Sequence, residues 1–162
     1  MAKVILKLGD DISTDTIYPG RFMATVLPVE TPAFAFADFK EFNKMLNEKE
    51  YPPGSIIVGG KNFGCGSSRE QAASCLKGHE LVIIAKSFAR IFLQNAVNLG
   101  LKTITVPEIV ANENDEIVFE GNIVNNLTTG KSFELVPVSG TRQAVMDAGG
   151  LIRYTRERLL KK

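Results

Sequence analysis

Apolar positions along this chain switch between two periods. Val4–Leu8 opens it with a short apolar run that predicts a first strand. The runs at 55–60 (SIIVGG) and 81–85 (LVIIA) are almost continuously apolar, as strands buried on both faces are, and 102–106 adds another. Between them the spacing turns helical. Phe36, Phe39, Phe42 and Leu46 predict a helix over Ala33–Glu48, broken by Tyr51-Pro52-Pro53-Gly54. A second helix spans 69–78 and stops at Gly78. A third runs over 88–99, with Ser87 as N-cap and Gly100 as its stop. This β-α-β-α-β order predicts a sheet that is at least partly parallel. After Pro107 the pattern changes to three short strands, Glu116–Glu120, Ile123–Leu127 and Ser132–Val136, joined as a meander by Gly121-Asn122 and Thr129-Gly130. Two helical pieces, 140–148 and 150–160, close the chain across Gly149-Gly150.

Length and composition place these elements in one α/β domain spanning residues 1–162, long enough to bury about two-thirds of its unfolded surface. A net charge of +1 gives no global argument for a nucleic acid or a membrane, so any anion binding must be local. No window approaches about 18 consecutive apolar residues, and MAKVILKLGDD has too short an apolar run for a signal peptide. A cytoplasmic location is the expectation. The two cysteines, Cys65 and Cys75, match no zinc spacing and cannot hold an iron–sulfur cluster alone. The single histidine, His79, reads as a surface turn residue, which leaves histidine-based acid–base chemistry without a candidate. The basic tail (Arg153, Arg156, Arg158, Lys161, Lys162) reads as a solvated face that suits a final helical turn, with a subunit contact as the alternative.

Chemistry concentrates in residues 61–71, KNFGCGSSREQ. A strand, a glycine turn, two hydroxyls and an arginine at a helix start form an arrangement that holds a carboxylate or phosphate. Rival motifs fail on spacing. No lysine follows Gly66 as a Walker loop needs, no second glycine completes a hydrolase elbow, and Arg69 stands where a dinucleotide turn has its third glycine. A plain turn with a serine N-cap remains open on residue types alone. A second cluster, GDDISTDTIYPGRFMAT (9–25), crowds three aspartates, hydroxyls and Arg21 into one loop, where function or simple solvation both fit. In the third, Lys86-Ser87-Phe88-Ala89-Arg90-Ile91, Ser87 reads as a cap and Arg90 as a structural salt-bridge partner.

In order, GDDISTDTIYPGRF, GKNFGCGSSRE, AKSFARIF, NAVNLGL and AGGLIRY resemble the 3-isopropylmalate dehydratase small-subunit family of the aconitase superfamily. The resemblance spans essentially the whole chain, with residues 26–52 matching least. It implies a three-layer β/β/α swivelling domain of the aconitase C-terminal type. It also implies a separate large subunit that carries a [4Fe–4S] cluster, so that this chain binds no metal or cofactor and forms a heterodimer or heterotetramer. The implied reaction is the dehydration and rehydration of leucine biosynthesis that moves a hydroxyl between neighbouring carbons of an alkylmalate. The cluster's open iron acts there as Lewis acid.

By the same resemblance Ser67 is the base that takes the carbon-bound proton. Asp15 supports the catalytic hydrogen-bond network, and Ser68 and Arg69 bind the substrate carboxylate. The loop Arg21, Phe22, Met23, Ala24 and Thr25 reads the substrate's side group. Homoaconitase-like members carry an arginine at the position of Ala24, so Ala24 and Met23 imply a small alkyl group, isopropylmalate first. The alternatives are the small subunit of a homoaconitase, a citramalate isomerase or a 2,3-dimethylmalate dehydratase. Outside the enzyme class stand a non-catalytic assembly module on this fold and an anion-binding domain acting alone. Gln71 departs from the family by replacing a frequent histidine.

Overall fold

The computed structural model describes residues 1–161. Strand β1 (Ala2–Lys7) leads into the 9–25 segment, which holds a short helix, α1 (Thr14–Ile17). Ser13 Oγ accepts the Thr16 N–H at 3.0 Å and caps α1, while Ile17 and Tyr18 are buried. Helix α2 covers Lys40–Asn47, followed by β2 (Ile56–Gly59), α3 (Glu70–Gly78), β3 (Val82–Ala85), α4 (Arg90–Leu99) and β4 (Lys102–Thr105). The meander follows as β5 (Glu116–Glu120), β6 (Ile123–Asn126) and β7 (Lys131–Glu134). Helices α5 (Gly140–Asp147) and α6 (Leu151–Leu160) come last.

One seven-stranded sheet runs in the order β4-β3-β2-β1-β5-β6-β7. Strands β1 to β4 pair in parallel and β5 to β7 in antiparallel, with β1 belonging to both halves. The sheet curls on itself: just past β7, the Val136 N–H donates to the Thr105 carbonyl beside β4 at 2.8 Å. Period-2 alternation then makes two cores. Val4, Ile56, Val58, Val82, Ile84, Ile117 and Val124 point into the curl. Ile57, Ile83 and Ala85 point the other way, onto a layer with Ala72, Leu76, Phe92 and Ala96 of α3 and α4. Antiparallel half, parallel half and helices form the three layers of a β/β/α domain, as the sequence led one to expect.

Four local expectations change. The helix over Ala33–Glu48 is a 3-10 turn (Thr31–Phe34), a break, and then α2. Phe36 sits in the break at φ 50° with its ring fully buried and its N–H donating to Ile17 O at 2.7 Å. Carbonyls that a continuous helix would satisfy are taken by side chains instead. Asn43 Nδ2 donates to Ala33 O (3.0 Å) and Ala35 O (2.8 Å). Helical spacing thus runs across two different pieces: Phe36 is buried in the break, Phe42 and Leu46 are buried on α2, and Phe39 at its N-cap is exposed. Ser87 does not cap α4: Ala89 holds the N-cap without a side-chain bond, and Ser87 Oγ accepts the Asn62 N–H at 2.8 Å. Arg90 makes no ion pair among the described residues. His79 is half-buried rather than superficial, its Nε2 2.9 Å from Pro32 O. Gly100 ends α4 as expected, in the left-handed conformation. Within the basic tail, Lys162 lies outside the described residues.

The Asn43 bonds are a test of the α2 account. Asn43→Ala leaves the carbonyl of buried Ala35 without its donor and is expected to cost about 1–3 kcal/mol. Urea unfolding with an unchanged m-value would measure it.

Candidate active site

The site lies outside the carboxyl ends of β1, β2 and β3, where loops of parallel sheets gather polar groups. The loops after β1 and β2 continue to pair beyond the strands. Gly60 N–H donates to Gly9 O (2.9 Å), Asp11 N–H to Lys61 O (2.8 Å), Gly64 N–H to Ile12 O (2.7 Å) and Thr14 N–H to Cys65 O (2.7 Å). Phe63 bonds in turn with the loop after β3, through Ser87 O and the Ala89 N–H. The two glycines flanking Cys65 serve this zipper. Gly64 and Gly66 have φ values of 83° and 99°, and a Cβ on Gly64 would strike the ring of Phe92.

The turn is fixed at its backbone and open at its side chains. Ser67 O accepts both the Arg69 N–H (2.8 Å) and the hydroxyl of buried Thr14 (3.0 Å), whose Oγ1 also lies 3.5 Å from Ser67 Oγ. Ser67 and Ser68 are exposed. Arg69 occupies the N-cap of α3 and no side chain closes that cap. Ala72 N–H bonds to Arg69 O at 3.3 Å, and the Glu70 and Gln71 N–H groups, at the positive end of the helix dipole, stay available to an anion.

Asp15 and Arg69, 54 residues apart, form an ion pair at 2.5 Å. Arg69 also donates to Tyr18 O at 3.3 Å, and Asp15 accepts the Gly20 N–H at 2.8 Å. The Arg69 hydrogen bond first, and then the Gly20 N–H, hold the Asp15 carboxyl below its ordinary value of 3.8. One edge of the guanidinium is thus occupied, and the rest of its five-donor fork remains.

The predicted specificity loop splits in two. Arg21 pairs with Asp38 (2.6 Å) and lies 4.6 Å over the Phe22 ring, and the Asp38 hydrogen bond pushes the Arg21 pKa up. Phe22 stacks on Phe34 at 4.2 Å and is half-buried. Met23 and Ala24 are exposed, and Thr25 is half-buried. The loop sits beside α3, since Gln71 Nε2 reaches Met23 O at 3.5 Å. The structure brings Ser67, Arg69 and Asp15 together and leaves Ser68 exposed beside them. Arg21 and Phe22 are engaged within the chain. Sequence reasoning overlooked Thr14, Asp38 and Phe34. Only Thr14 had a signal, as the hydroxyl directly before Asp15 in a loop already marked by its polarity.

The superfamily's iron–sulfur cluster does not fit this chain. Cys75 is fully buried, its thiol pushed up by burial and donating to Ala72 O. Cys65 is half-buried in the turn, and no three His, Cys, Asp or Glu side chains converge among the described residues.

A curled mixed sheet with a serine–arginine turn at the carboxyl ends of its parallel strands defines the class: a family model described as the Aconitase C-terminal domain matches residues 12–109. Within that class the chain is 40% identical to the 3-isopropylmalate dehydratase small subunit of Thermodesulfovibrio yellowstonii, covering 96% of this chain and 93% of that one. It is 40% identical to the small subunit of Aquifex aeolicus, with 98% and 95% covered. A crystal structure of 3-isopropylmalate dehydratase from Methanocaldococcus jannaschii superposes with a TM-score of 0.86 at 35% identity, over 98% of this chain and 94% of that one. The chain belongs to the family of 3-isopropylmalate dehydratase small subunits.

The depressed Asp15 pKa gives a pH prediction. A lowered folded pKa means that the pair's contribution to stability is complete above the unfolded carboxyl's value, near 3.9. It is lost as pH falls through the folded value. Carboxyl-carbon NMR is expected to show Asp15 titrating below an unperturbed aspartate, and Arg69→Gln to move it up toward the ordinary range, with the Gly20 N–H still holding part of the shift.

Proposed function

We propose that this chain is the small subunit of a hydro-lyase that interconverts 2- and 3-isopropylmalate by dehydration and rehydration, and that it supplies the proton-transfer half of the site. One observation carries the assignment: an exposed serine, locked at its backbone by Thr14, stands beside an arginine that Asp15 holds in place at an uncapped helix start. That arrangement suits a carboxylate next to a carbon that must lose its proton. The substrate carboxylate binds the free edge of Arg69, the hydroxyl of Ser68 and the first-turn N–H groups of α3. Ser67 Oγ, as the alkoxide, takes the proton from the neighbouring carbon and returns it in the hydration direction. Serine ionises far above neutral pH, so the alkoxide needs positive potential, which the α3 N-terminus and Arg69 supply. His79 is committed to Pro32 O and takes no part.

Departure of the substrate hydroxyl would be assisted by a Lewis acid, which an iron–sulfur cluster would supply. The [4Fe–4S] cluster belongs to a large subunit that closes over this face. Met23, Val26, Leu27 and Val29 form an exposed apolar run beside the site (39%, 64%, 53% and 86% exposed), as a surface covered by a partner would. The assembled enzyme is cytoplasmic, and this chain alone is inactive.

Met23 and Ala24 give the substrate's side group an apolar wall without a cation, which favours isopropylmalate over a tricarboxylate. Steady-state kinetics of the reconstituted pair on isopropylmalate, dimethylmalate and homocitrate tests this, and a preference for homocitrate would overturn it. Ser67→Ala in the same complex is expected to lower kcat by about 10²–10⁴-fold with KM nearly unchanged. Near-normal turnover would remove Ser67 as the base.

A further inference from the structure

Tyr18 is fully buried and touches no solvent, yet it carries a hydroxyl that its core packing does not need. Its ring meets Phe34 edge-on at 6.2 Å, a contact that phenylalanine would make equally well. A buried hydroxyl is costly unless it is bonded. Here it faces two carbonyls, Phe22 O at 3.2 Å and Thr25 O at 3.3 Å. Those two groups bracket Met23 and Ala24.

Around it, the upstream end of the loop is held several times over. Phe22 N–H donates to Pro19 O (3.0 Å) and Met23 N–H to Gly20 O (3.1 Å), with Arg21 on Asp38 and Phe22 on Phe34. The downstream end is not. Past Thr25 the chain runs exposed through Val26, Leu27 and Val29 before buried Thr31 ties it to α3, its Oγ1 2.9 Å from Ser74 Oγ. Thr25 N–H closes on Phe22 O at 2.9 Å, so the Tyr18 hydroxyl meets both ends of one tight turn from below.

We propose that Tyr18 is a positioning residue for substrate discrimination: its hydroxyl clamps the turn from Phe22 to Thr25 and so fixes the wall that Met23 and Ala24 present to the substrate's side group. Tyr18 does not reach the substrate itself. The proposal rests on the alkylmalate reading of the site for its substrate and on the local geometry alone for the clamp.

Tyr18→Phe keeps the ring and removes only the clamp. In the complex with the large subunit, the ratio of kcat/KM for isopropylmalate over citramalate is expected to fall about tenfold, mainly through KM. In the isolated chain, hydrogen exchange of the Met23 and Thr25 amides is expected to rise about tenfold while the amides of Ala73–Leu76 in α3 keep their protection. Thr31→Val is the control for a merely structural hydroxyl: it lowers Tm and leaves the ratio unchanged. Unchanged exchange in Tyr18→Phe overturns the clamp. Faster exchange with an unchanged ratio overturns its role in discrimination. If the wild-type complex turns over neither malate, the substrate reading fails. The exchange arm still decides the clamp, and the ratio is then taken on the two best substrates found.

Discussion

The site depends on two loops staying paired after the strands that launch them have ended. β1 and β2 are parallel neighbours, and the Gly9–Gly60, Asp11–Lys61, Ile12–Gly64 and Thr14–Cys65 bonds carry that pairing outward to the serine turn. Each bond is worth about 1 kcal/mol net, little for a fold but sufficient to set register. Slipping the zipper by one residue would shift α1 along the serine turn and part Asp15 from Arg69 and Thr14 from Ser67. The glycines at 64 and 66 follow from the same constraint: the loop must pass close to Phe92 while its carbonyls and N–H groups stay aimed at the opposite strand.

Within that frame the Asp15–Arg69 pair orients more than it stabilises. Asp15 is largely exposed, and pairs of that kind contribute little to folding. Arg69 is mostly shielded, however, and the same Nη1 that meets Asp15 also donates to Tyr18 O. A guanidinium held on one edge keeps few rotamers, so less entropy is lost when the other edge meets a carboxylate. Asp15 also lowers the net positive charge that Arg69 offers Ser67. Glu70 in the first turn of α3 likewise offsets part of the helix dipole, so the backbone N–H groups at that start carry the remaining positive potential.

Most of this was legible in the sequence, and the failures share a cause. The apolar runs at 55–60 and 81–85 announced strands buried on both faces because no surface face interrupts them. The serine turn was legible because glycine, hydroxyl and arginine each have a narrow use at the start of a helix. Phe36 misled because helical spacing records which side chains are apolar, and an irregular segment laid across a core buries such a side chain as well as a helix does. Ser87 misled for a related reason: a serine before a helix is as able to accept an N–H from a neighbouring loop as from its own helix, and tertiary contact decided for Asn62. Arg21 pairs with Asp38, seventeen residues on inside the stretch read as a helix, and no local rule finds such a partner.

The exposed loop past Thr25 raises the question of when the substrate wall is formed. A loop shaped only by the partner would lose entropy at every encounter, and its ordering would be charged against subunit affinity. This chain instead holds the turn from Phe22 to Thr25 by bonds made entirely within itself, and leaves only the apolar run from Val26 to Val29 open. On the proposed reading the two jobs are separated along eight residues: a prebuilt wall that faces the substrate, and a following apolar stretch whose burial drives association. On this division, changes to the stretch would alter how tightly the subunits meet. Changes beneath the turn would alter which substrate they accept.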